Sequence, residues 1–489
     1  MHSADHSSEQ APPEVTTGLR GWLNRRTGLD ALLRSALDEP IPGGARLAYI
    51  FGSGLLFIFL SQIITGVFLA LYYVPSADHA HTTVAYITKS VTAGSFLRGL
   101  HAYGASAMIV VLLLHLSQTY LYGAYKGRRE LLWFSGCLLF VMVMGMAFTG
   151  YLLPWDQKAY FATAVGTNAA SEIPMVGESL KQLMRGGTDM GTLTISRFFV
   201  AHVFLIPACI FALVAAHLFL FRAVGAAGPV TENPFEPKQK AEFFYPRQIL
   251  MDLSLTALLI IGLGCLAFFV PIQLGPPANP GDAQYIPRPE WYYLPIFQWL
   301  KYWHGAASVI GVLVIPTILA LAVVAVPFLD RGVERRPWKR PIASGAYVFV
   351  MLALIGLGLR SKYLDRHDPE VAQQLAKQET EEVEYMSKPF EPELSSASLA
   401  AANVALADPL AAKGKTIFEA QFCTACHGDG GVGTAAGPAL IGVGAKFSPG
   451  QLTELLQHPT DKMKAGGMPT PDLPLDDMKA LVAYVASLK

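Results

Sequence analysis

Apolar residues gather into seven stretches long enough to cross a bilayer, near 46–74, 97–122, 131–153, 195–221, 249–271, 306–328 and 342–359. A hydrocarbon core about 30 Å thick needs roughly 20 apolar residues in helical form. The last stretch is the shortest. Two stretches carry paired histidines: His101 and His115 lie 14 residues apart in the second, His202 and His217 lie 15 apart in the fourth. At 3.6 residues per turn both intervals come close to four turns, so each pair shares a helix face and is separated by roughly 21–22 Å along it. Ionisable side chains at membrane depth are costly and face a bundle interior. Two facing helices with paired imidazoles predict two metal centres stacked across the membrane. Imidazole suits iron, and bis-histidine haem is the natural occupant; a hydrogen-bonded interior histidine is the simpler reading of any one of them alone.

Composition agrees with this pattern. Hydrophobic residues make up 52% of the 489 positions and charged residues 15%, the profile of a polytopic membrane protein. The formal net charge is zero, which gives no reason to expect nucleic acid as a partner. Lys and Arg concentrate on one side of the spans, at Lys126, Arg128, Arg129, Arg222, Lys238, Lys240, Arg247, Arg331, Arg335, Arg336, Lys339 and Arg340. That side is expected to be cytoplasmic, with the N-terminus on it and, after an odd number of spans, the C-terminus outside. Residues 1–40 contain no uninterrupted apolar core of a cleavable signal peptide. Within them Leu19, Trp22, Leu23, Leu29, Leu32 and Leu33 alternate with Arg20, Arg25, Arg26 and Arg34, which predicts an amphipathic helix on the membrane surface or against a partner.

Character changes again after the last span. Asp365, Asp368, Glu370, Glu379, Glu381, Glu382 and Glu384 precede a Ser/Ala-rich stretch, so residues 361–408 read as a solvated, partly helical linker that would span about 35–40 Å if flexible. The remaining segment, 409–489, holds Cys423-Thr424-Ala425-Cys426-His427, the C-x-x-C-H sequence of c-type haem attachment. Gly428, Gly430, Gly431 and Gly433 follow it, a setting that favours haem over a redox or zinc pair. The adjacent His427 supplies one axial ligand and Met468 is the expected second, with Met463 the alternative. Haem is attached to such sequences outside the cytoplasm, the side on which the loop charges place this segment. Cys137, Cys209 and Cys265 sit singly in apolar spans as small hydrophobes.

Other residues follow from these. Gly52 and Gly66 on the first span, and Gly136 and Gly150 on the third, repeat the 14-residue interval. A glycine level with each haem would let the ring approach the backbone; small-residue helix packing is the alternative. Arg98 and Arg197, just before His101 and His202, are candidate partners of haem propionates, or else interfacial arginines. Tyr151-Leu152-Leu153-Pro154-Trp155-Asp156 leaves the third span on the outer side, and Pro289-Glu290-Trp291-Tyr292 lies in the outer loop before the sixth. A carboxylate among aromatic rings suits proton transfer.

These residues resemble cytochrome b of the cytochrome bc and bf complexes. Residues 46–223 look like its four-helix dihaem half, and 224–360 contain a segment similar to the three-helix subunit IV of the plastid and Gram-positive branch, with Pro289-Glu290-Trp291-Tyr292. Residues 409–489 resemble a class I monohaem cytochrome c. The fold is therefore expected to be all-α, a membrane bundle followed by a small helical domain, with residues 1–45 on the cytoplasmic side. The resemblance implies quinol–cytochrome c reductase activity by a Q cycle, with two non-covalent haems b and one covalent haem c. His101 and His202 would hold the outer haem and His115 and His217 the inner one. Glu290, with Tyr151 nearby, would be the outer quinol-site acid; Arg222, and Asp252 more weakly, would belong to the inner quinone site. It further implies a Rieske iron–sulfur partner, a homodimeric complex in the cytoplasmic membrane, and an acceptor that is a cytochrome c or a terminal oxidase.

Two departures stand out. Ile50 occupies the position where the plastid type has a cysteine that tethers an extra haem, so no thioether-linked haem is expected there. The parts are also continuous in one chain, which would make the terminal domain a tethered electron shuttle. Two other functions fit the residues less fully: a dihaem quinone-reactive anchor without a Q cycle, and a non-catalytic electron-transfer scaffold. Inhibitors of an outer site separate the first, and replacement of Glu290 the second. Ubiquinone and menaquinone are not separable by motif.

Overall fold

A computed structural model describes residues 18–231, 233, 241–282, 284–390, 408–421, 423–431, 433, 437–465, 468–471 and 473–488. Residues 1–17, most of the stretch ahead of the expected linker's end (391–407), and the charges Lys238 and Lys240 lie outside them, as do Gly466 and Gly467 beside Met468. The described residues are almost entirely helical. One two-stranded antiparallel sheet, Pro40–Pro42 with Ala241–Phe243, joins the N-terminal segment to the approach of the fifth span.

Among the described residues six helices are long and apolar enough to cross a membrane: Leu47–Ala70, Gly94–Leu121, Glu130–Tyr151, Thr192–Val224, Arg247–Phe269 and Pro341–His367. The first packs against the second through Ile58, Met108 and Val111, the third against the fourth, and the fifth against the second. Close approach is made by small residues, for example Gly99 against Ala267 and Gly54 against Leu255. The expected span at 306–328 is not one uninterrupted helix. It is assembled from a π turn (Ile310–Val314), an α segment (Ile315–Val324) and a short piece (Val326–Leu329). Pro316 and Pro327 each lack a backbone donor, which breaks the ladder at those points. Conversely, the last span exceeds the expected 342–359 and continues to His367.

The fourth span also opens into a π turn, Ala201–Leu205, beginning beside His202. Pro207 has no N–H and its ring would strike the Val203 carbonyl, so the turn before it widens. That turn absorbs one extra residue. The 15-residue interval to His217 thereby keeps both histidines on one face.

Two further expectations change. The N-terminal amphipathic helix is two helices, Gly18–Thr27 and Leu29–Leu37, separated by Gly28 at φ +65° and bridged by Arg20 to Asp30 at 3.1 Å. Leu19, Trp22 and Leu33 remain exposed. The solvated linker expected from residue 361 is, up to residue 387, a continuous extension: after the last span Asp368 caps a second helix, Pro369–Ser387, by accepting from the Glu370 and Val371 amides. Its buried face rests on the segments that follow the first and fifth spans. Tyr385, Met386 and Phe390 pack against Val84, Ala85 and Leu274, a burial that no free linker would have.

In the C-terminal domain Pro409–Ala420 crosses Leu475–Ser487. The Phe418 and Tyr484 rings lie 5.3 Å apart, tilted by 57°, with Met478, Leu481, Val485 and Leu488 around them. The crossing point is Gly414, where a Cβ would meet the Ala480 carbonyl oxygen at 1.9 Å. Gly414→Leu is expected to prevent this domain from folding, since overpacking of even one methylene costs about 1–3 kcal/mol. Loss of covalently bound haem from the full-length protein is the readout, and normal incorporation would contradict the packing.

Candidate functional site

The four span histidines meet in two pairs. His101 and His202 face each other with ring centres 6.3 Å apart and planes at 77°. His115 and His217 line one cavity of about 840 Å³ at the end of the bundle that carries Arg46 and Arg222. Each of the glycines singled out by spacing lies against one imidazole. A Cβ on Gly66 would be 3.1 Å from His101 Cε1, on Gly150 2.4 Å from His202 Cε1, on Gly136 3.4 Å from His217 Cε1 and on Gly52 3.8 Å from His115 Cε1.

Hydroxyls beside the glycines orient three of these rings, and the sequence reading passed over them. Thr65 Oγ1 lies 2.9 Å from His101 Nδ1, Thr149 Oγ1 3.1 Å from His202 Nδ1, and Ser135 Oγ 2.8 Å from His217 Nδ1. Each hydroxyl has one proton and gives it to a carbonyl on its own helix, of Ser61, Gly145 and Leu132 respectively. It can therefore only accept from the imidazole, which fixes the proton on Nδ1 and leaves the Nε2 lone pair free. The signal was present as Thr65-Gly66, Ser135-Gly136 and Thr149-Gly150. The fourth glycine follows Phe51, and His115 Nδ1 is buried without a hydrogen-bond partner.

This donor set fits a metal-centred ring. A metal–imidazole bond is about 2 Å long, so two imidazoles sharing one metal through Nε2 place their centres roughly 6 Å apart. The His101–His202 spacing agrees.

A second cluster of aromatic and charged side chains forms where the third span ends. Trp155 is buried at φ +51°, a conformation that turns the chain sharply. Asp156 then caps the helix Gln157–Ser171 through the Ala159 amide at 2.8 Å and accepts from the Gly275 amide at 3.3 Å. This ties the end of the span to the loop that carries Glu290. Tyr151 and Tyr293 stand 6.4 Å apart, and the Tyr293 hydroxyl donates to the Met144 carbonyl at 2.6 Å. Glu290, half-buried, accepts from Lys158 Nζ at 2.5 Å. Burial alone would lower the Lys158 ammonium, but the charge and hydrogen bond of Glu290 outweigh it and hold the amine above its ordinary range. Burial, and then the Glu290 charge, push the Tyr292 hydroxyl up; burial and the Asp156 charge do the same to Tyr285.

The arginines are committed elsewhere. Arg98 donates to the carbonyls of Ile272 at 3.0 Å and Gln273 at 2.8 Å and to Thr88 at 3.3 Å. Arg197 donates to the carbonyls of Gln182 and Leu183, at the end of the helix Gly177–Arg185. At the cavity lined by His115 and His217, Arg222 pairs with Glu39. Asp252 accepts from Gln248 at 2.9 Å, and Gln248 accepts from the Arg46 amide at 2.8 Å. All of these border that cavity.

In the C-terminal domain Cys423, Cys426 and His427 share one short helix. His427 Nδ1 donates to the Pro438 carbonyl at 2.8 Å, which again leaves Nε2 free. Burial pushes the Cys423 thiol up. The Met468 amide donates to the Met463 carbonyl at 3.0 Å, so the two methionines lie on one turn.

Three family models match the chain: Cytochrome b/b6/petB over residues 36–225, Cytochrome b(C-terminal)/b6/petD over 277–377 and Cytochrome c over 411–489. The menaquinol:cytochrome c reductase cytochrome b subunit of Geobacillus thermodenitrificans is 40% identical over 220 residues, 43% of this chain and 98% of that protein. The chain belongs to the cytochrome b family. The cytochrome b/c1 of Bradyrhizobium diazoefficiens is 34% identical to this cytochrome b over 356 residues, 71% of this chain and 50% of that protein. A chain of a hyperthermophilic respiratory Complex III superposes with a TM-score of 0.64 at 26% identity, covering 76% of this chain and 97% of that one. Membership in the cytochrome b and cytochrome c families implies haem b and haem c.

Proposed function

We propose that this cytochrome b is the quinone-reactive core of a quinol–cytochrome c reductase running a Q cycle, with its own haem c domain attached. The observation that carries this reading is the opposed His101–His202 pair, 6.3 Å apart and flanked by hydroxyls that free both Nε2 atoms. Two haems b, held by His101 with His202 and by His115 with His217, would supply one-electron centres between an outer and an inner quinone pocket, and a haem c on Cys423 and Cys426 would supply a third.

The side chains do the rest. Thr65, Thr149 and Ser135 hold the imidazoles in the ligating tautomer. Gly52, Gly66, Gly136 and Gly150 clear the space those rings occupy. Glu290 takes a proton from quinol at the outer pocket as a general base, beside Tyr151. Arg222 and Asp252 serve quinone at the inner cavity, where the Asp252 carboxyl delivers a proton. Arg98 and Arg197 have guanidinium N–H groups beyond those given to carbonyls, and propionates are their proposed partners. His427 would hold the iron of haem c, together with Met468 or, as the alternative, Met463. A Rieske protein takes the first electron at the outer face, and the complex is a homodimer in the cytoplasmic membrane with its N-terminus inside and the haem c domain outside.

Purification of the complex tests this. Two extractable protohaems are expected for each covalent haem, together with quinol-dependent reduction of haem c that outer-site inhibitors block. A preparation with one covalent haem and no extractable protohaem would overturn the assignment. Separately, Cys423→Ser with Cys426→Ser should abolish haem staining of the 52.9 kDa chain on a denaturing gel while leaving the b-type absorbance in place.

A further inference from the structure

The helix Pro369–Ser387 is clamped across the loop that carries Glu290. Gln378 holds both backbone groups of Ile286, accepting from its amide at 3.0 Å and donating to its carbonyl at 3.3 Å. Just before this helix, Asp365 accepts from Arg288 at 2.9 and 2.5 Å. Just after Glu382, Lys89 Nζ donates to the carbonyls of Tyr385 at 2.5 Å and Lys388 at 3.0 Å.

Gln378, Glu382 and Tyr385 are spaced four and then three residues apart, so all three share the inward face. Glu382 is half-buried there. A methyl group placed on Gly275 would lie 3.6 Å from Glu382 Cγ and 3.6 Å from Asp156 Oδ2. Two carboxylates from distant parts of the chain thus converge on one glycine, next to the Lys158–Glu290 pair. The groups facing Glu382 are Asp156 and Lys158 from the segment after the third span, Glu290 and Tyr285 from the loop, and Glu379 from its own helix; Arg98 acts on Asp156 from the second span. Burial, then Asp156, hold the Glu382 carboxyl above its ordinary range, against the pull of Lys158. A group of carboxylates around one ammonium accommodates an extra proton readily.

We propose that Glu382, on the helix that leads to the haem c domain, relays the quinol proton from Glu290 to the outer aqueous phase. The inference rests on the outer-pocket reading given above. Oxidation breaks a quinol O–H bond; its proton adds to the Glu290 carboxylate while the electron leaves to the iron–sulfur acceptor. The proton then passes to the Glu382 carboxylate, Glu290 returns to its anionic form, and Glu382 releases the proton to bulk water. Lys158, paired with Glu290 at 2.5 Å, also attracts the Glu382 carboxylate, so a positive charge acts on whichever acid is ionised. Glu382 touches no substrate, so it acts through Glu290.

The test uses the full complex. Glu382→Gln is expected to lower kcat for quinol oxidation about 5–20-fold, with KM within about twofold and haem content unchanged. The rise of rate with pH that reflects an ionising carboxyl above the usual glutamate range should disappear. Glu382→Asp should restore most of the rate. Gln378→Ala loosens the same clamp without removing an ionisable group, and its pH profile should match wild type. Wild-type kcat and pH profile in Glu382→Gln would overturn the relay, as would equal loss in Gln378→Ala and Glu382→Gln with both profiles intact. Glu290→Gln separates the two readings: full activity there removes the pocket assignment itself, whereas an inactive Glu290→Gln beside an unaffected Glu382→Gln removes the relay alone.

Discussion

Gly150→Val is expected to remove the outer haem b and to cut quinol-dependent reduction of haem c by at least about 100-fold, the scale set when a reacting centre is misplaced by an ångström. Even a Cβ at Gly150 would lie 2.4 Å from His202 Cε1 and 3.0 Å from its Nε2. Real atoms do not approach that closely, so the ring must swing away from His101. The four glycines grade this effect. Gly66, with 3.1 Å to His101 Cε1, allows alanine only if the ring yields by a few tenths of an ångström, and Gly136 at 3.4 Å is borderline. Gly52 at 3.8 Å has room, so Gly52→Ala should keep both haems b. Reduced-minus-oxidised spectra with haem extraction read the series directly. Two intact haems b in Gly150→Val would show that the imidazole does not sit where the structure puts it.

Glu290→Gln is expected to lower turnover by about 100-fold, the lower end of the 10²–10⁴ that a positioned general base contributes. Glutamine keeps the size and the hydrogen bond to Lys158 Nζ, whose counterpart here is 2.5 Å long, but cannot take a proton. Haem content and the spectra of all three haems should stay normal. Turnover measured with quinol, alongside direct chemical reduction of haem c, separates the loss at the pocket from any damage downstream. Undiminished quinol oxidation would leave the outer pocket without its acid.

Much of the site is legible in the chain because it depends on periodicity. His101, His115, His202 and His217 declare their faces by spacing alone, and the glycine interval repeats theirs. The C-x-x-C-H run is contiguous and needs no fold to be read. What escapes is whatever depends on contacts between distant segments. Nothing in the acidic stretch after the last span distinguishes Glu382 or Gln378 from their solvated neighbours; only the clamps at Ile286, Arg288 and Lys89 give them a buried face. Local backbone chemistry was readable but was overridden by hydropathy. Pro316 and Pro327 announce the broken span at 306–328, and Pro207 announces the π turn beside His202. The arginines illustrate a third limit. Arg98 and Arg197 precede His101 and His202 by three and five residues in the chain, yet their nearest acceptors in the structure are loop and helix-end carbonyls.

Anchoring of Pro369–Ser387 changes the physical status of electron delivery to the terminal domain. Contacts hold the chain as far as Phe390, and the haem c domain begins with the cap at Asp408. The residues between Phe390 and Asp408 can span no more than about 65 Å whatever their conformation. On the function proposed above, the haem c acceptor stays within that reach of its own donor, at an effective concentration on the order of millimolar. Its first reduction should follow unimolecular kinetics, indifferent to dilution of the enzyme and only weakly affected by ionic strength, and an added free cytochrome would have to compete with a resident one that never diffuses away.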